Sequence, residues 1–418
     1  MSILVEDVLV DGKETSIYVE ENVITEVGRK HDADVTIDGK GKAAIPGLIN
    51  AHTHAAMTLM RGYADDLELH DWLQNHIWPL EAKLKEEDVY WGAKLACLEM
   101  IKTGTTCFND MYWQPEGTAK AAEEMGIRGV ISSVFIDLFD NKRAEEQIRE
   151  NEKLMPRLRK RYSDRIVPAL GPHAVYTVSK DSLDWIREYS QENNTLIHFH
   201  LAETRKENED CLKRNGKRPI PYLDGIGFLT DKLVACHSVW LTKDEIRTMA
   251  KHNVKVANNP TSNMKLATGG VIAYPQMKAA GMTVALGTDG CASNNNLDMF
   301  EAMKFASLLQ KAHLWDQTVM PAKEAYQMAT TEGAKALNLN AGAIEEGKLA
   351  DIILIDLKRP ELTPHYNIHS DLVYAANGSC VNTTICDGKV LMEDRRVEGE
   401  EKIMEKASEV AKKLVKNA

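Results

Sequence analysis

Two histidines one residue apart, His52 and His54, close an apolar run that begins Ile45-Pro46-Gly47-Leu48. Alternate side chains of an extended strand share a face, so these imidazoles stand about 6 to 7 Å apart at Cβ and can lean onto one ion at roughly 2.0 to 2.1 Å. With 13 histidines in 418 residues, about 0.4 such pairs arise by chance, and one pair alone carries little weight. A second pair lies in Leu196-Ile197-His198-Phe199-His200-Leu201. Strand alternation there sends Ile197, Phe199 and Leu201 to one side and both histidines to the other. His200, nearer the C-terminal rim, is the better ligand; His198, one layer deeper, either supports a ligand or is a buried histidine satisfied by a hydrogen bond. Asp289, in Leu286-Gly287-Thr288-Asp289-Gly290, reads as a turn or helix cap unless the fold brings it to the histidines. Three imidazoles and one carboxylate would then hold a single divalent ion and leave a position for water.

Other groups gain meaning only beside such a site. His237, in Ala235-Cys236-His237-Ser238, is placed to orient or deprotonate a water. Glu203, three residues past His200, is a candidate acid next to a metal and an ordinary solvated glutamate elsewhere. His173, in Gly171-Pro172-His173, could bond a substrate or fix its own loop, and Glu81, after Trp78-Pro79, carries no signal by position.

The elements that must position these residues are apolar runs separated by helical intervals. Residues 48–52, 105–109, 129–136, 166–170, 195–201, 233–238, 254–257 and 283–286 are eight such runs, the pattern of βα units. Their C-terminal ends lead into His52-Thr53-His54, Asn109-Asp110, His173, His200 to Glu203, His237, Asn258-Asn259 and Asp289. Polar residues thus gather where a closed barrel builds its active site, whereas an open doubly wound sheet offers only one or two crevices. The expected fold is α/β, a (β/α)8 TIM-type barrel over 46–344, with a small β-sandwich domain formed from both chain ends (1–45 plus 345–398). The first 44 residues read as small antiparallel strands, and Asp387-Gly388 marks a type I′ hairpin near the other end. Over 399–418 the stripe Ile403, Met404, Ala407, Val410, Ala411 and Leu414 predicts an amphipathic helix packed on the body.

A net charge of −11 without long basic runs argues against a nucleic acid polymer as partner. No stretch has the apolar length of a membrane span, and no signal peptide is expected at Met1. Seven scattered cysteines without a Cys-x-x-Cys read as reduced thiols of a cytoplasmic protein.

The segments Pro46 to His54, Gly171-Pro172-His173, His198 to Thr204, Asn259-Pro260-Thr261-Ser262-Asn263-Met264-Lys265-Leu266 and Leu286 to Gly290 together resemble the amidohydrolase superfamily. More narrowly they resemble its 5-methylthioadenosine/S-adenosylhomocysteine deaminases, which include 5′-deoxyadenosine deaminases. The resemblance implies that His52, His54, His200 and Asp289 bind one metal, usually zinc, with Fe2+ or Mn2+ as alternatives. It implies that Glu81, His173, Glu203 and Asp289 contact a nucleoside, and that Glu203, His237 and Asp289 act in catalysis. Binuclear relatives add a lysine after the fourth strand, which 166–173 lacks, so one ion is expected. Relatives that accept S-adenosylhomocysteine can use two arginines after the third strand; here Arg143 fills one place and Ser133 stands in the other. The expected reaction is hydrolytic replacement of the purine 6-amino group of 5′-deoxyadenosine, 5′-methylthioadenosine or adenosine, ranked above S-adenosylhomocysteine. Deamination or dechlorination of another heterocycle (guanine, cytosine, a triazine) and a non-catalytic scaffold are the alternatives. A homo-oligomer is expected as well.

Overall fold

The computed structural model describes residues 1–67 and 71–416. The eight apolar runs form β6 (Leu48–Thr53), β7 (Thr105–Tyr112), β8 (Arg128–Phe135), β9 (Ile166–Pro172), β10 (Ile197–Leu201), β11 (Leu233–His237), β12 (Lys255–Asn258) and β13 (Val284–Leu286). They follow one another in an unbroken parallel order. Along β10, Ile197, Phe199 and Leu201 join the apolar layer under the helices, as alternation requires. Small residues such as Cys107, Ala169, Cys236, Ala257 and Ala285 fill the inner layer. Room for a cluster of imidazoles follows from those small neighbours.

The barrel closes between its last and first strands. Amides of Thr288 and Asp289 donate to the carbonyl of His52 at 3.1 and 3.0 Å. Asn50 adds two bonds, donating from Nδ2 to Thr288 Oγ1 at 2.7 Å and accepting from Thr288 N at 3.0 Å. This seam depends on Gly287, where a Cβ would lie 2.4 Å from Asn259 Oδ1 and 2.8 Å from both the Cβ and the amide nitrogen of His52. The floor is sealed by helix Thr331–Ala336, whose Ala334 and Ala336 pack with Ile49, Val234 and Ala285.

Both chain ends build a second sheet. Its strands are β1 (Ser2–Val10), β2 (Lys13–Glu20), β3 (Val23–Val27), β4 (Val35–Asp38) and β5 (Lys42–Pro46), with β14 (Ile352–Asp356), β15 (Val381–Cys386) and β16 (Lys389–Met392) from the far end. The order is β16-β15-β14-β5-β1-β2-β3, with β4 also paired to β1, around a core that includes Ile3, Val19, Ile37, Ile352 and Ile385. The sheet is mixed, which corrects the expectation of antiparallel strands alone: β4 and β5 both run parallel to β1. Strand β2 already occupies one edge of β1, so the returning chain takes the other. The left-handed residue Asp7 breaks the register of β1 and lets two short strands share that edge. Asp387 and Gly388 both have positive φ, as a type I′ turn requires.

Buried Arg128 at the foot of β8 ties the layers together, donating to Asp351 at 2.7 Å and to Asp387 at 2.6 Å. Helix Glu400–Lys416 buries Ile403, Ala407 and Leu414 against the body, while Met404 of the expected stripe stays exposed. Residues 417–418 of that span lie outside the described residues. Among the described residues no helix is long and apolar enough to cross a membrane, and all seven cysteines are buried and unpaired. If Gly287 is what lets the seam close, Gly287→Ala should lower stability by about 1–3 kcal/mol through overpacking, read from the denaturant midpoint, and weaken metal binding at the adjoining site.

Candidate active site

The mouth of the barrel gathers the predicted residues into one cluster. His52 and His54 come from the end of β6, His200 from β10, His237 from β11, and Asp289 from the turn after β13. Their approach depends on strained strand ends. Ala202, His237 and Asp289 all have left-handed backbones, at φ +51°, +68° and +64°, so the chain turns sharply past three strand ends, at or just before a residue of the cluster.

Hydrogen bonds at the back of each ring decide which nitrogen faces the center. His54 Nδ1 donates to the carbonyl of Met111 at 2.6 Å, and His200 Nδ1 donates to that of His173 at 2.9 Å. A carbonyl only accepts, so in the neutral rings both Nε2 atoms are left with lone pairs. These face each other at 3.3 Å, while Asp289 Oδ1 lies 3.3 Å from His54 Nε2 and 3.4 Å from His52 Nε2. His52 Nε2 is buried without a hydrogen-bond partner. Unshielded lone pairs and a carboxylate oxygen at such distances repel one another. Ligands at roughly 2.0 to 2.1 Å from one ion stand on the order of 3 to 3.5 Å apart, so a divalent cation among them would turn that repulsion into binding. The residues present therefore fit one such ion.

His198 stands behind this group, with Nε2 2.7 Å from His52 Nδ1. With His52 Nε2 turned to the ion, Nδ1–H donates to His198. Ser262 and Ser293 hydroxyls donate to the other oxygen of Asp289 at 2.6 and 3.0 Å, so Oδ1, which accepts only the Gly290 amide at 2.8 Å, keeps a lone pair for the cluster. Burial favors the uncharged imidazoles. It pushes His52 down to about 4 and His173 to about 3, and holds His198 and His200 well below the ordinary range. The two serine hydroxyls and the Gly290 amide favor the ionised form of Asp289 against its burial. Neutral rings beside an ionised carboxylate are the protonation states that metal ligands need.

Around this center sit the groups that could handle substrate. Burial raises the carboxyls of Glu203 and Glu81. Glu203 Oε2 lies 3.9 Å from His237 Nε2, whose Nδ1 is anchored at 2.8 Å by Asn263 Oδ1. Glu81 ends the short helix Trp78–Glu81 and accepts from Trp113 Nε1 at 3.3 Å. His173 is anchored through Nδ1 by Thr177 Oγ1 at 2.9 Å. Glu81, His173, Glu203, His237 and Asp289 all line one cavity, whose apolar wall includes Trp72, Trp78, Trp113 and Leu266. Arg143 does not line it. That arginine is exposed at the start of helix Asn141–Arg161, its amide capped by Asp140.

Sequence reasoning missed several residues. Ser262 and Asn263 lie in the quoted Asn259 to Leu266 segment but carry no spacing signal, and Ser293 has none. Glu207 sits in Thr204-Arg205-Lys206-Glu207, a pattern that ordinarily marks only a helix start. The residue is nevertheless buried in the wall of the cavity.

The profile of the amidohydrolase family matches residues 43–391, which span the whole barrel and this cluster. The chain belongs to the amidohydrolase family. It is 50% identical to the 5′-deoxyadenosine deaminase of Methanoregula boonei over 99% of this chain and 93% of that protein. It is 51% identical to 5-methylthioadenosine/S-adenosylhomocysteine deaminase 1 of Archaeoglobus fulgidus over 97% of this chain and 96% of that one. A zinc-bound adenosine deaminase from Xanthomonas campestris has the same fold with a TM-score of 0.91, at 33% identity over 99% of this chain and 98% of that one.

Donor groups this tightly arranged make a direct prediction. Asp289→Ala should lose bound metal and activity together, measured by elemental analysis of the purified protein beside a turnover assay. A variant retaining both would remove Asp289 from the ligand set.

Proposed function

We propose that this chain is a metal-dependent hydrolytic deaminase of adenosine-type nucleosides, converting the purine 6-amino group to the 6-oxo group with release of ammonia. The observation that carries this reading is the convergence of His52, His54 and His200 Nε2 with Asp289 Oδ1 beneath a cavity that also holds Glu203 and His237. Similarity to deaminases of 5′-deoxyadenosine, 5-methylthioadenosine and adenosine supports it. Zinc is the proposed ion, with Fe2+ or Mn2+ as alternatives, and the free buried thiols support a cytoplasmic enzyme.

An ion held there supplies Lewis acidity that lowers the pKa of a water from 15.7 toward about 7. The remaining steps belong to the side chains. Asp289 takes a proton from the attacking water while His237 Nε2 orients its oxygen toward C6. As the C–O bond forms, ring aromaticity is lost and N1 becomes basic, so Glu203 gives its proton to N1. Asp289 then returns the proton it took to the amino group, and the C6–N bond breaks with ammonia as the leaving group. The new hydroxyl gives its proton to Glu203, which leaves C6=O and restores both carboxyls to their starting states. Burial of Glu203 serves this sequence because it favors the protonated form at the outset.

Glu81 and His173 are assigned to hold the nucleoside. Apolar surface from Trp72, Trp78 and Leu266, together with Arg143 lying off the cavity wall, favors a small 5′ substituent. The charged pair on that wall, Lys206 and Asp210, is mutually satisfied at 2.6 Å. We therefore rank 5′-deoxyadenosine, 5′-methylthioadenosine and adenosine ahead of S-adenosylhomocysteine. Comparing kcat/KM for the four nucleosides tests this order, and a preference for S-adenosylhomocysteine would reverse it.

Glu203→Gln should keep its metal and lose roughly 10²-fold or more in kcat, as expected for removing a general acid. The pH profile gives an independent check. Because Glu203 must start protonated, wild-type kcat/KM should fall as pH rises through its elevated pKa, and that alkaline limb should be missing from the residual activity of Glu203→Gln.

A further inference from the structure

Mechanism gives Glu203 a task but leaves the carboxylate four residues on without one. Glu207 is only 3% exposed and lies in the first turn of helix Arg205–Asn215. In a capping box, the glutamate of a Thr-x-x-Glu pattern folds back to the amide of the N-cap residue. Half of the box forms: Thr204 Oγ1 accepts from Glu207 N at 3.1 Å. The glutamate, however, reaches past Thr204. Its Oε1 accepts from the amide of Ala202 at 2.8 Å, and its Oε2 from the amide of Glu203 at 2.9 Å. Elsewhere in the chain the same pattern closes in the ordinary way, with Thr242 N donating to Glu245 Oε2 at 2.7 Å. The departure therefore belongs to this turn.

The turn is an unusual one. Ala202 sits at φ +51°, a conformation that is strained for a residue with a Cβ. Here the chain leaves β10 and swings Glu203 over the cluster. Amides of Val239 and Trp240 donate to the Ala202 carbonyl at 3.0 and 2.9 Å, which holds one side of the turn to the next strand. Glu207 holds the other side by gripping two consecutive amides. Burial pushes its carboxyl up to about 7, a penalty that an ordinary solvated cap avoids. A helix start alone gives no reason to accept it.

We propose that Glu207 is the positioning residue for Glu203: its two oxygens grip the Ala202 and Glu203 amides and fix the left-handed turn that aims the Glu203 carboxyl at the substrate. This inference rests on the assignment of Glu203 as the acid. A shift of about 1 Å in a reacting group can cost on the order of 10²-fold in rate. In Glu207→Gln the side-chain amide offers one acceptor and one donor to two amide donors, so the grip cannot form in full.

The test is a double-mutant cycle on metal-loaded protein, with Glu203→Gln, Glu207→Gln and the double variant compared for kcat, KM and metal content. Glu207→Gln should lower kcat roughly 10- to 100-fold with metal content unchanged and KM within about twofold. The double variant should be no slower than Glu203→Gln alone, because a residue acting only through Glu203 has nothing left to position. Wild-type kcat in Glu207→Gln, loss of its metal, or losses that multiply in the double variant would each overturn the proposal. If Glu207→Gln does not fold, Glu207→Asp, whose shorter side chain also breaks the grip, should give the same non-additive result. Unimpaired turnover by Glu203→Gln would overturn the assignment of the acid itself, and that result is seen without any change at Glu207.

Discussion

The site depends on one pair of hydrogen bonds. When the amides of Thr288 and Asp289 reach the carbonyl of His52, the barrel closes, and the same contact sets the Asp289 carboxylate beside the β6 histidines. Residues separated by more than 230 positions in sequence become neighbors within 3.4 Å. Closure of the barrel and assembly of the cluster thus rest on the same contact. The lack of a side chain at Gly287 permits it, and Asn50 reinforces it through Thr288.

Within the closed mouth, the protein controls protonation by choosing what stands behind each group. Main-chain carbonyls of Met111 and His173 accept from the outer nitrogens of His54 and His200, so the inner nitrogens keep their lone pairs. Two serine hydroxyls occupy one oxygen of Asp289, and the other keeps a lone pair for the cluster. Hydrogen-bond donors then separate the two kinds of carboxyl. Asp289 accepts from two hydroxyls and the Gly290 amide and stays charged, whereas burial raises Glu203 and Glu81, which hold protons more tightly. An acid and an anion can then coexist a short distance apart.

Much of this was legible in the sequence, and for identifiable reasons. The eight barrel strands repeat a strong apolar pattern, so their positions could be read within a few residues. His198 and His200 could be assigned to the inner face of β10 because alternation is a local property. Strand direction in the small sheet was not legible. Parallel pairing of β4 and β5 with β1 depends on which edge β2 leaves free and on a kink at Asp7, neither of which is a local pattern. Glu207 was hidden for a different reason. Its sequence context is that of a helix cap, and only the fold reveals that the carboxylate bypasses the cap and grips the turn before it. Arg143 shows the limit of carrying positions over by rough register: a residue in the right stretch of chain can still lie off the cavity wall.

The central claim is that His52, His54, His200 and Asp289 converge on a single divalent ion. Anomalous diffraction at the zinc edge from crystals of the zinc-loaded protein tests it most directly. The account predicts one strong peak at roughly 2.0 to 2.1 Å from the three Nε2 atoms and from Asp289 Oδ1. A deeper group, His52, His198 and Cys236, also brings its donor atoms within 4.8 Å of one another. A zinc peak among those three residues, or no peak at the four-ligand center, would contradict it.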